Sequence, residues 1–187
     1  MTPLARLVSA VVAAAAATVL GVLAAWPIYQ TPWLLAPAAA GLGLGAGRAW
    51  AGWRLRWAVP VRLAAAVAAF ALTLLPVAMP QALLAPPAQW LPALADALAA
   101  VVLGWKQLLT LTLPVGTYQT VLVPAYAVFF ITAFAGVWIA LRSPRVAPFA
   151  ALPFLLPDAF GTVFGAAELS APLRLGPMVV TAPREVA

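Results

Sequence analysis

From Leu7 to Gly47 the chain carries no ionisable side chain except Tyr29. A helix needs roughly 20 apolar residues to cross a hydrocarbon core about 30 Å thick, so this run holds two crossings and the turn between them. A soluble domain usually has about a quarter of its residues charged. Here the charged share is 7% and the hydrophobic share 66%. The expected fold is therefore all-α, a polytopic membrane helix bundle.

Five spans are expected, at about 7–25, 34–47, 61–79, 118–141 and 146–165. The first follows a lone Arg6 and is too long for the apolar core of a secretory signal peptide, so it is read as an uncleaved helix. Trp26-Pro27-Ile28-Tyr29-Gln30-Thr31-Pro32-Trp33 predicts a tight interfacial turn, since indole rings prefer that level. Pro80 to Pro92 holds four prolines and predicts irregular backbone. The stretch at about 93–113 is apolar but contains Asp96, Lys106 and Gln107. Charge at mid-membrane is costly, so it is expected as an interfacial helix. Pro148, Pro153 and Pro157 make the last span the least regular. Residues 1–165 thus form the bundle, and 166–187 are expected as an extracytoplasmic tail.

Five crossings put Arg6, Arg48, Arg54, Arg56, Arg62, Arg142 and Arg145 on one side, with no acid. Lys106, Arg174 and Arg184 fall on the other, with Asp96, Asp158, Glu168 and Glu185. Basic residues in short loops mark the cytoplasmic face. The chain is accordingly expected in the plasma membrane, N-terminus cytoplasmic and C-terminus extracytoplasmic. Carrying 93–113 across would force Arg142 and Arg145 outward.

There is no cysteine and no histidine. That excludes thiolate nucleophiles, the usual zinc sites, haem ligation by histidine, and Cys-His or Ser-His pairs. No cofactor, metal site or catalytic residue is expected.

Gly41, Gly43, Gly45 and Gly47 echo a dinucleotide-binding loop, but no strand precedes them and no acid lies about 20 residues on. Their spacing of four instead lets helix backbones approach closely in lipid. Downstream, Trp50, Trp53 and Trp57 have helical spacing and would share one face flanked by Arg54 and Arg56. This pattern suits a membrane interface, with guanidinium groups on anionic headgroups of the lipid bilayer. Docking of a cytoplasmic partner is the sharper alternative. The cluster is too short for nucleic acid.

Asp158 is the candidate functional acid, because an ionisable group within a span invites a functional reading; the plainer role is a local one after Pro157. Two classes of function follow: a membrane anchor or assembly domain, or a small stand-alone transporter or channel subunit using Asp158. Spans with almost no polar residues and no internal repeat favour the anchor.

Trp105-Lys106-Gln107-Leu108-Leu109-Thr110-Leu111-Thr112-Leu113-Pro114-Val115-Gly116-Thr117-Tyr118-Gln119, leading into Val121-Leu122-Val123-Pro124, resembles the segment before a late membrane helix in actinobacterial transglutaminase-like membrane proteins. The Arg/Trp-rich early loop and the span ending in arginines are similar too. The resemblance implies a bacterial cell-envelope protein whose N-terminal bundle precedes an extracytoplasmic domain with a Cys-His-Asp site. It would cover only the bundle, and without Cys or His no catalytic residue carries over. The implied partner is a missing extracytoplasmic domain or another membrane protein, which would make this chain a fragment or a split subunit.

Overall fold

The computed structural model describes residues 3–110 and 120–165. The Pro114 stretch, the ends of the expected 93–113 and 118–141 helices nearest to it, and the 166–187 tail lie outside the described residues. The fold is all-α, with no strand among the described residues. Its helices are α1 (Pro3–Tyr29), α2 (Leu35–Arg54), α3 (Val59–Ala78), α4 (Trp90–Thr110), α5 (Leu122–Arg142), α6 (Ala151–Phe154) and α7 (Leu156–Gly165), joined partly by short 3-10 turns.

Five stretches are long and apolar enough to cross a membrane: Leu4–Tyr29, Val59–Ala78, Pro87–Lys106, Leu122–Arg142 and Ala147–Phe164. The chain is a multi-pass helical membrane protein. The five are not the five expected. The stretch containing α4 qualifies, whereas α2 does not, because glycines and arginines dilute its apolarity.

The bundle is built around α5. Its spanning stretch is 78% buried, against 17–28% for the other four. A helix apolar on every side is one that belongs inside. α2 docks on α5 and runs parallel to it: Gly41 lies against Phe129 and Phe130, and Gly45 against Phe130, Ala133 and Phe134. α3 runs antiparallel. Phe70 stacks on Tyr126 at 4.9 Å between ring centroids, and Arg62 sits over Trp138 at 5.6 Å. α5 places Tyr126, Phe130, Phe134 and Trp138 four residues apart, one above another on a single face. Successive rings touch, with centroids 6.0, 6.4 and 5.6 Å apart.

α1 is antiparallel to α5. It is 27 residues long, about 40 Å at 1.5 Å per residue, and ends where the Tyr29 hydroxyl donates to the Val121 carbonyl at 2.9 Å. Gln30 then takes a left-handed conformation (φ 45°), and Thr31 Oγ1 accepts from the Trp33 N–H to start the next turn. α7 is parallel to α1, with Pro157 against Gly21 and Gly161 against Ala24. The chain from Ala147 to Gly165 reaches that position in three short helical pieces, the first two joined at Ala150 and the last beginning after Leu155. Pro148, Pro153 and Pro157 each withhold a backbone donor and so divide the ladder.

Two ends of the bundle result. At one lie Arg6, the α2–α3 turn and the close of α5; at the other, Tyr29 meets the start of α5. α3 leaves the bundle at the tyrosine end. The C-terminal half of α4 is at that end as well, with Gly104 against Pro124 and Trp105 edge-on to Phe160 at 5.7 Å.

Tyr29→Phe is expected to cost about 1 kcal/mol, because it removes the buried hydroxyl's bond to the Val121 carbonyl. Thermal unfolding in detergent measures this. An unchanged midpoint would mean that the bond does not help hold α1 to α5.

Candidate functional site

The segment after the glycine run, expected as an interfacial loop or helix turn, is helical as far as Arg54. α2 continues through Gly47, Arg48, Trp50 and Trp53 to Arg54. It closes in a Schellman arrangement, with the Trp57 N–H donating to the Gly52 carbonyl at 3.0 Å and the Arg56 N–H to the Trp53 carbonyl at 3.2 Å. The residue at the left-handed position of such a cap is usually glycine. Here it is Arg56, at φ 53°. An L-residue with a Cβ pays about 1–2 kcal/mol there. Because the helix ends before it, Trp57 leaves the helical register, and the single face expected for Trp50, Trp53 and Trp57 is broken. Trp50 is exposed, while Trp53 and Trp57 are half-buried.

Arg62, from the first turn of α3, reaches back over this cap. Its Nη2 donates to the Gly52 carbonyl at 3.0 Å and to the Trp57 carbonyl at 3.2 Å. Its guanidinium covers the Trp138 ring. Gly52 permits the crossing, since a Cβ there would lie 2.8 Å from Arg62 Cγ and Nε. Trp53, Arg54, Arg56, Trp57 and Arg62 together line an open cavity of about 460 Å³. Three arginines and two tryptophans line it, and no acidic residue does.

A second cleft of about 430 Å³ opens at the same end, between the start of α1 and the close of α5, lined by Arg6, Ser9, Ala10, Ala140, Pro144 and Phe154 among others. Arg6 Nε and Nη1 are buried there without a hydrogen-bond partner. The Ser9 hydroxyl turns back to the Arg6 carbonyl.

The four glycines divide into two pairs. A Cβ at Gly41 would stand 2.7 Å from Phe129 Cβ and 2.8 Å from Phe130 N, and one at Gly45 would stand 2.6 Å from Phe130 O. At Gly43 and Gly47 it would meet nothing within 4 Å. Residues two apart on a helix point to well-separated directions, so only Gly41 and Gly45 serve the α2–α5 contact.

Asp158 stands in the first turn of α7, half-buried, next to Pro157. A carboxylate in a first turn faces the positive end of the helix dipole. No group of three potential metal-ligating His, Cys, Asp or Glu side chains occurs among the described residues.

Arg62 is the contact-making residue of this turn that spacing alone does not reveal. It looks like one more loop arginine until the α2–α3 turn folds it onto Gly52. No protein-family model, curated protein or solved structure matches the chain.

Proposed function

We propose that this chain is the membrane anchor and assembly domain of a cell-envelope protein. In this reading it has no catalysis of its own, and its working part is an extracytoplasmic domain or a partner membrane protein. The character of the interior carries the proposal. The buried side chains among the described residues include no charged residue, and their polar atoms are hydroxyls, those of Thr18, Thr31, Thr120, Thr132, Tyr29 and Tyr126. Thr18 already spends its hydroxyl on the Ala14 carbonyl one turn back. A transporter moves its substrate past polar or charged groups near mid-membrane, and the interior of the described residues is mainly Ala, Val, Leu and stacked rings, with a few hydroxyls and no fully buried charged residue.

The arginines that gather at one end support a cytoplasmic N-terminus, by the bias of short basic loops toward that side. α2 lies along α5 and so crosses with it despite its lower apolarity. α4 finishes at the end where α3 left, so residues between those points enter and leave the membrane on one side. α1, α2, α3, α5 and α6–α7 then make five crossings.

Since the chain has no cysteine, single cysteines report sidedness without background. Leu84→Cys, at a position 89% exposed at the tyrosine end, is expected to react with a membrane-impermeant maleimide in intact cells. Leu55→Cys, exposed among the arginines, is expected to react only after permeabilisation. The reverse pattern would overturn the orientation. The transglutaminase-like assignment rests on the Trp105–Gln119 stretch, and the coding sequence beyond codon 187 tests it. A downstream domain bearing Cys, His and Asp supports it; a stop codon with no such domain encoded alongside removes it.

A further inference from the structure

The arginine–tryptophan cavity at the α2–α3 turn is more than a sticky surface. We propose that it is a binding site for one acidic phospholipid, whose phosphate-bearing headgroup sits among Arg54, Arg56 and Arg62. The inference rests on the multi-pass membrane reading and gives that membrane end a defined ligand.

The first argument is conformational. Arg56 occupies a left-handed cap position where glycine is the stable choice. Residues held in sparsely populated backbone regions persist where the surroundings or a task require them. This left-handed turn places Arg56 in the lining of the cavity that Arg54 and Arg62 also line.

The second argument is electrostatic. Three like charges around one cavity repel one another, and no carboxylate lines it to offset them. Arg62 has already given Nη2 to two backbone carbonyls, and those bonds hold its position without neutralising its charge. An anion completes the set. Guanidinium groups match phosphate oxygens with paired, charge-assisted hydrogen bonds.

The third argument selects a lipid over a soluble anion. Trp53 and Trp57 form part of the wall, and Leu55, Val59, Val61 and Leu63 are exposed on the turn and the first helical turns beside it. A charged floor beside indoles and an open aliphatic surface fits an amphiphile, with its headgroup in the cavity and its acyl chains along α3. A free phosphate would leave the aliphatic surface unused.

The test is native mass spectrometry of the detergent-purified chain titrated with phosphatidylglycerol, phosphatidylcholine or inorganic phosphate. One phosphatidylglycerol is expected to remain bound to the wild type at concentrations where neither of the others does. Arg56→Gly relieves the cap, so its unfolding temperature should hold or rise, by up to about 4 °C. Its phosphatidylglycerol affinity should nonetheless fall about tenfold, the scale of one lost charge-assisted contact. Arg54→Gln, at an exposed last-turn position, should show the same loss through a different backbone site. Undiminished affinity in both variants would overturn the proposal, as would equal retention of phosphatidylcholine, or retention of inorganic phosphate that excludes the lipid. Failure of the membrane reading itself looks different: the chain would remain monomeric and folded without detergent.

Discussion

Replacing Gly45 with leucine is expected to separate α2 from α5 and to cost the bundle more than any other single change considered. The site has no slack. A Cβ at Gly45 would already meet the Phe130 carbonyl oxygen at 2.6 Å and the Phe134 nitrogen at 3.0 Å. Those are backbone atoms of a hydrogen-bonded helix and cannot swing aside as a side chain could. Overpacking a well-packed interior typically costs about 1–3 kcal/mol, and more where the backbone itself must move. Between helices in lipid, close packing is itself a principal source of association. Gly41→Leu should behave alike, and the double variant should fail to give a stable species in detergent. Gly43→Leu is the control. It has open space around it and gains helix propensity, so its unfolding midpoint should equal or exceed that of the wild type. If all the variants unfold together with the wild type, the α2–α5 contact does not hold the bundle.

Uncharged length was enough to read an all-helical membrane bundle from the chain, because lipid leaves an apolar run few alternatives. Pro148, Pro153 and Pro157 likewise announced the broken final segment, since each removes a donor whatever surrounds it. Other features depended on tertiary contacts that spacing does not encode. The glycine run suggests two equivalent pairs, and only the position of α5 selects Gly41 and Gly45. The arginines and tryptophans after Gly47 read as the end of a span, yet α2 continues as helix to Arg54. Trp57 appeared to continue the face of Trp50 and Trp53, but that required Arg56 to be helical. An arginine in a glycine position is a choice that local rules argue against. Such conflicts between local preference and observed backbone tend to fall where a protein has something else to do, and here that place is the arginine–tryptophan cavity.

Arg62→Ala is the second large effect expected, and its direction follows from what the side chain connects. Arg62 joins three elements at once: the carbonyl of Gly52 in α2, the carbonyl of Trp57 in the turn, and the Trp138 ring of α5. Hydrogen bonds to charged donors are worth about 1.5–3 kcal/mol, and a partly desolvated guanidinium over an indole adds about 1–2 kcal/mol. Truncation should therefore lower stability by about 2–4 kcal/mol, chiefly by letting the α2–α3 turn open. Arg62→Lys separates shape from charge. An ammonium keeps the charge, but it lacks the flat, delocalised face that lies over Trp138 while Nη2 donates to both carbonyls. The lysine variant should thus fall between alanine and wild type in its unfolding midpoint, with hydrogen exchange at the Arg56 and Trp57 amides faster than in the wild type. A lysine variant as stable and as protected as the wild type would mean that charge alone holds the turn. An alanine variant as stable as the wild type would mean that the Schellman bonds suffice without Arg62.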